Sequence, residues 1–278
     1  VSGEPTGASG ASASASAVAA MDPRAAAALL DDLADRGWPA ATRERHRGWI
    51  LRAADGVTRR ANSALPVGPV DDPDAALDAV EDFARRHGID ACVQVSPASE
   101  PADLPARLAA RGYVAEARTL VQVADAAAVR DRLAGARVAD PALEVTVADA
   151  PDDAWLDAWW SVDGRGGSAE LAVARGILAG GPAVYAAVRA GDRVLATARL
   201  ALVDGWGGLF AVATRPEARR RGLSRAAMAA AVDAGRERGI TALWLQVVEE
   251  NAGARALYAG LGFRTASRYE YWTRPADA

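Results

Sequence analysis

The two halves of this chain can be laid over each other with a shift of about 150 positions, and that repeat constrains the fold more than any other feature. Gly88-Ile89 falls on Gly239-Ile240, Cys92-Val93-Gln94-Val95 on Leu243-Trp244-Leu245-Gln246, and Gly112-Tyr113 on Gly262-Phe263. Around these anchors each half reads strand, helix, strand, helix, strand. In the first half the expected elements are a strand over 58–65, a helix over 75–86, a strand over 91–95, a helix over 104–110 and a strand over 115–123. Such alternation makes a layered α/β (mixed α+β) architecture, a mostly antiparallel mixed sheet flanked by helices in each copy. A length of 278 residues is long for one compact domain of this kind and comfortable for two. Residues 1–20 form a Gly, Ala and Ser tract without periodicity, expected to be a disordered tail. The first unit is then 21–134, a linker rich in turn residues runs over 135–142, and the second unit is 143–278.

The second half carries a segment that the first lacks. Leu209-Phe210-Ala211-Val212-Ala213 reads as a buried strand, Pro216 breaks it, and Arg219-Arg220-Arg221-Gly222-Leu223-Ser224-Arg225 leads into a helix. That helix buries a small-residue face through Leu223, Ala226, Ala227, Ala230, Ala231 and Ala234. A helix start offers unpaired N–H groups and partial positive charge, which suits a phosphate, and three arginines add full charges. At the matching place the first half has Pro66-Val67-Gly68-Pro69-Val70-Asp71-Asp72-Pro73, whose anionic side chains and prolines cannot form such a cradle.

A second pattern follows in the right order. After a strand over 241–247 comes Asn251-Ala252-Gly253-Ala254-Arg255-Ala256-Leu257-Tyr258, then Leu261-Gly262-Phe263. Together, Arg-x-x-Gly-x-Ser after a strand and Asn-x-x-Ala-x-x-Leu-Tyr-x-x-x-Gly-Phe resemble the two signatures of the GCN5-related N-acetyltransferases. The resemblance covers roughly residues 143–274 and is strongest to the branch that acetylates protein N-terminal alanines. It implies two tandem domains of this fold, the first a degenerate copy, and acetyl-CoA as cosubstrate without a metal. By that resemblance Val212, Ala213 and Thr214 hold the pantetheine arm through backbone groups. Arg219, Arg220, Arg221, Gly222, Leu223, Ser224 and Arg225 wrap the pyrophosphate, with Ser224 where the family prefers Gly or Ala. Asn251 helps hold the pantetheine and is also a good helix N-cap. Tyr258 protonates the departing CoA thiolate as general acid, and Leu108 stands at its place in the first half.

The base is the departure. Where the N-terminal alanine branch has glutamate, five residues before the asparagine, this chain has Gln246, which accepts no proton at neutral pH. Glu249 and Glu250 are near, but at a strand end and turn. The resemblance therefore implies an N-acetyltransferase acting by direct attack of a primary amine in a ternary complex, on a small-molecule or protein acceptor. A non-catalytic acyl-CoA sensor is the alternative. In the same half, Asp152 or Asp153 can cap a helix running to Val162, and after the loop Asp163-Gly164-Arg165-Gly166-Gly167-Ser168 a second helix runs to Ala179. Trp159 and Trp160 read as core there, Asp163 and Arg165 as solvated loop.

Composition narrows the partners. The net charge is −4 and all 32 strongly basic residues are arginine, so a broad nucleic-acid-binding face is not expected. No apolar run is long enough for a membrane span or signal peptide. The single cysteine, Cys92, excludes an intrachain disulfide and fits a reducing cytoplasm. The expected assembly is a monomer or homodimer, with the strand at Tyr269-Glu270-Tyr271-Trp272 free to pair within or between chains.

Overall fold

The computed structural model describes residues 14–164 and 166–275, with Ala117 described by its backbone alone. Helix α1 (Ala15–Ala20) starts at Ser14, whose hydroxyl accepts the Ala17 N–H at 3.1 Å, and it buries Ala15 and Val18. This corrects the expected tail for its last residues: a Ser cap and a run of helix-forming alanines around Val18 suffice once the apolar side meets the core. The rest of that tail, 1–13, lies outside the described residues. Helix α2 (Pro23–Gly37) follows, with Pro23 in its first turn and the Asp22 carboxylate accepting the Arg24 and Ala25 N–H groups. Strands β1 (Thr42–His46) and β2 (Trp49–Ala53) pair as a hairpin.

The strand expected over 58–65 is not formed as such. A 3₁₀ turn spans Arg59–Ala61, and only Ala64 and Leu65 make isolated bridges, to Val93 and Ile50. The cause is Asn62, whose buried amide replaces ladder partners: Oδ1 accepts from Ala54 N at 2.7 Å and Gly56 N at 3.0 Å, while Nδ2 donates to the carbonyls of Val57 and Thr58. Beyond it come α3 (Pro73–His87), capped by Asp72 and ended by Gly88 at φ 62°, then β3 (Ala91–Val95), α4 (Leu104–Ala110), β4 (Val114–Asp125) and α5 (Ala126–Arg132). The second half contributes β5 (Glu144–Ala148), α6 (Asp153–Asp163), α7 (Ser168–Ala179), β6 (Ala183–Ala190), β7 (Arg193–Val203) and β8 (Trp206–Thr214). It ends with α8 (Leu223–Glu237), β9 (Ala242–Val248), α9 (Ala252–Gly260) and β10 (Arg264–Arg274).

Eight strands form one sheet in the order β3-β10-β4-β9-β8-β7-β6-β5, in which β8 and β9 are the parallel pair. The sheets of the two halves are thus fused by exchange. Strand β10 of the second half lies between β3 and β4 of the first, and β4 lies between β10 and β9. In the β4–β10 ladder Val114 pairs with Thr273 and Val123 with Arg264. The repeat equates 114 with 264 and 123 with 273, so a half turn maps this ladder onto itself. The Tyr269–Trp272 strand therefore pairs within the chain on both sides.

One face of the sheet packs against α2 and α6 through Trp38, Trp155, Trp159, Phe210 and Trp244, with Trp160 partly buried beside them. The other face meets α8 through Leu200, Leu209, Leu243, Leu245, Ala227 and Ala231. A third cluster, Trp49, Leu77, Phe83, Val93, Leu104 and Leu108, sits under α3 and α4. Strand β5 is an exposed edge of the sheet, and its side chains do not alternate between core and solvent. Among the described residues no helix is long and apolar enough to cross a membrane.

Candidate active site

The parallel ladder of β8 and β9 runs only from Trp206 opposite Ala242 to Leu209 opposite Leu245. Both strands continue, to Thr214 and Val248, so a wedge opens between them. A bulge turns β8 at the mouth of this wedge. Register with β7 slips between Arg199 opposite Phe210 and Thr197 opposite Ala213, and Ala211 takes φ 50°, rare for a residue with a Cβ. The Thr197 hydroxyl donates to the Ala211 carbonyl at 2.9 Å, which satisfies one group freed by the bulge. On its β7 side, β8 remains paired through Ala213 and Thr214, so Val212–Thr214 presents its other edge to the wedge.

Below that edge the chain turns at Pro216–Ala218, passes Arg220 at φ 64° and enters α8 from Gly222 at φ 76°. No side chain caps α8, leaving its first N–H groups unfilled by the helix itself. The arginines are partly engaged: Arg219 Nε donates to the Thr214 carbonyl at 3.3 Å, and Arg225 Nη2 to the Arg132 carbonyl at 2.8 Å. Arg221 pairs with Asp140 of the segment joining the halves at 3.1 Å. Arg220 is exposed, and among the described residues it makes no ion pair. Leu223 has its side chain in the core, so only its backbone can meet a ligand, while Ser224 is half-buried.

On the far side of the wedge, Asn251 caps α9, its Oδ1 accepting the Ala254 N–H at 3.0 Å. Tyr258, half-buried, sets its ring edge-on to Phe263 at 5.9 Å. Burial pushes its phenol up to about 12, and the negative charge of Asp163 adds to the shift. Asp163, the last residue of α6, thus acts on Tyr258 across the wedge, although it is exposed as the loop reading implied. Arg165 lies outside the described residues. Gln246 is the first residue of its β9 face past the end of the parallel ladder, and its Oε1 is buried without a hydrogen-bond partner. Glu249 is drawn to Arg118 at 3.5 Å, and Glu250 is exposed.

Sequence reasoning missed a cluster on the same sheet face. Arg199, wholly buried on β7, donates from Nε to the Leu178 carbonyl and from Nη1 to the Gly37 carbonyl at 2.8 Å, yet Nη2 has no partner. Arg60, from the first half, holds its Cζ 5.5 Å from the Trp38 ring and 5.2 Å from the Phe210 ring. Arg199 Cζ lies 5.9 Å and 5.7 Å from the same two rings. Arg60 Nε and Trp244 Nε1 are also buried without partners. The one available signal was Arg199, a charge inside the otherwise small and apolar run Val194–Val203.

The chain as a whole has relatives among known proteins. The family model described as "Probable histone acetyltransferase Rv0428c C-terminal" matches residues 25–272. The uncharacterized N-acetyltransferase YobR of Bacillus subtilis is 26% identical over 244 residues, 87% of this chain and 96% of that protein. The ribosomal protein bS18-alanine N-acetyltransferase of Salmonella typhimurium is 41% identical over 78 residues, 28% of this chain and 53% of that enzyme. Among solved structures, a GCN5-related N-acetyltransferase from Kribbella flavida has a TM-score of 0.65 at 18% identity, covering 90% of this chain and 96% of its own. A tandem protein of the same fold from the clavulanic acid biosynthesis pathway has a TM-score of 0.59 at 16% identity, covering 90% and 88%.

Proposed function

The chain belongs to the family described as the C-terminal part of the probable histone acetyltransferase Rv0428c, and we propose that it moves an acetyl group from acetyl-CoA to a primary amine. The observation that carries this reading is the continuity of one path: a bulged strand edge at Val212–Thr214 runs directly into the uncapped α8 terminus and its arginines. The edge suits an extended amide-bearing arm, and the turn suits a pyrophosphate. Residues 143–278 carry the chemistry. Residues 21–134 are a companion copy without a cradle, in which Leu108, wholly buried, stands where Tyr258 stands.

The amine nitrogen attacks the thioester carbonyl carbon, a C–N bond forms, and the C–S bond breaks to release CoA thiolate. Tyr258 donates its phenolic proton to that sulfur, and the proton lost by the amine restores the phenol. A phenol pushed up to about 12 stays protonated throughout the working range, so it is always ready as a donor. It is also a weaker acid than the thiol, near about 8.5, so the transfer accompanies bond breaking instead of preceding it. Direct attack fits the single cysteine, Cys92, which is buried in β3 with its thiol pushed up to about 11 by burial, far from carrying an acyl group. Gln246 offers an acceptor oxygen to the amine N–H but cannot take a proton. The relatives named bS18-alanine N-acetyltransferase act on an alanine of a ribosomal protein; glutamine at this place and their partial overlap point the present chain to other amines.

Replacing Tyr258 with Phe lowers turnover at least about tenfold and leaves acetyl-CoA affinity nearly unchanged, measured as thiol release and by calorimetry. Full turnover by that variant removes Tyr258 from the acid role. Tight CoA binding with no transfer to any member of a broad amine panel makes the chain an acyl-CoA sensor instead.

A further inference from the structure

Arg60 and Arg199 come from different halves of the chain, yet their guanidinium groups lie against the same two rings, Trp38 and Phe210. Among the described residues no carboxylate forms an ion pair with either. The electrostatics agree: Arg199 is held below the ordinary arginine value by burial, and Arg60 adds like-charge repulsion. Stacking on aromatic faces offsets part of the desolvation of two cations. It does not fill their N–H groups, and Arg199 Nη2 and Arg60 Nε are both buried and empty. An unfilled, buried charged donor is costly, so such a group marks a place where a partner is missing.

The location says what the partner is. Phe210 immediately precedes Ala211, the bulge residue at the mouth of the wedge. Trp244, edge-on to Phe210 at 6.1 Å, adds a third empty donor, its indole Nε1. Two residues on and on the same strand face, Gln246 leaves its Oε1 empty, and that is an acceptor. The two positive charges lie against Phe210 of β8, while Gln246, on β9 beside the donor Trp244, offers an uncharged acceptor. A molecule that satisfies both has a carboxylate at one end and an amine at the other.

Resting on the acetyl-transfer reading, we propose that the acceptor is a free amino acid or a close amino-acid analogue, its carboxylate held between Arg60 and Arg199 and its amine directed to Gln246. Guanidinium is the side chain whose planar fork matches a carboxylate, which is why lysine would not substitute for it here. The first half thereby has a role in the reaction: it supplies Arg60 to a pocket whose chemistry belongs to the second half.

The test compares matched acceptors on the full chain. Thiol release is measured for a panel of amino acids and for the carboxamide of each. The wild-type protein should favour the carboxylate by at least about tenfold in kcat/KM, mostly through KM. The variant R60Q should lose at least about tenfold more on the carboxylates than on their carboxamides. Arg60 is half-exposed and among the described residues holds no backbone carbonyl, so R60Q is the variant expected to keep native circular dichroism; R199K, at a wholly buried position, is read only if its circular dichroism is native. In parallel, the shift of the unfolding midpoint by amino acids and their N-acetyl derivatives, with CoA present, is measured for wild type and R60Q. A shift for wild type that R60Q lacks supports the site even if no amine is acetylated, in which case the transfer reading alone has failed. Equal use of carboxylates and carboxamides, equal losses in R60Q, or the same midpoint shift from inorganic phosphate as from amino acids overturns the proposal.

Discussion

Asp31, on α2, is 4% exposed and lies between Ser96, whose hydroxyl donates to it at 2.6 Å, and Gln94, whose amide donates at 3.2 Å. Burial, only partly countered by those bonds and by Arg52, pushes its carboxyl up to about 6. The unfolded chain titrates this group near about 3.9, so between those values the native state holds more protons and stability falls as pH rises. Urea unfolding from about pH 4 to 7 should find wild type losing about 2 kcal/mol relative to D31N, which cannot titrate. An unchanged difference across that window would mean that Asp31 stays charged in the fold. Tyr258 gives a second pH test: with its phenol at about 12, kcat/KM of wild type and Y258F should keep the same shape between about pH 8 and 10, differing in height. At this scale the sequence was informative where local conformation follows residue type: Asn251 caps α9, and Gly222 takes positive φ at the start of α8. Arg60 was not legible, because its meaning lies in Phe210, far along the chain, and nothing local marks an arginine that will stack there.

Elements were readable wherever periodicity and caps agreed. The helices around Pro73–His87 and Leu104–Ala110 and the strand Ala91–Val95 stand close to their expected bounds because Asp72, Gly88 and alternating apolar residues all favour one solution. The misread segment at 58–65 looks like a strand by composition, but one buried amide, Asn62, displaces the ladder. The bulge in β8 was also invisible, since Ala211 has no residue type that announces positive φ. Where β8 still pairs with β9, the close approach depends on glycine: a Cβ on Gly208 would lie 2.3 Å from Trp244 Cζ2. Gly208→Ala should therefore cost about 1–3 kcal/mol in chemical denaturation through overpacking. A neutral result would mean that the Trp244 ring has room to move, and with it the wedge.

Across the whole molecule, nothing in the repeat announces that strands of the two halves interleave in one sheet. A half-chain fold is self-consistent in sequence, and nothing in the hydrophobic pattern of β4 or β10 says which β3 or β9 they join. The exchange makes the halves interdependent. A fragment of residues 135–278 lacks β4, so β9 loses a neighbour and β10 loses both of its own. Expressed alone, that fragment should be insoluble or lack native circular dichroism, and the full chain should unfold in one transition by both far-UV signal and tryptophan fluorescence. Two separated transitions would mean that each half closes its own sheet in solution. The same topology sets an order of events during synthesis. β10 is made after every other strand, yet its seat is between two strands made much earlier, so the slot between β3 and β4 stays open until translation reaches residue 274. Throughout that interval the ribosome carries two unpaired strand edges facing each other, an exposure that a chaperone binding extended segments is suited to cover.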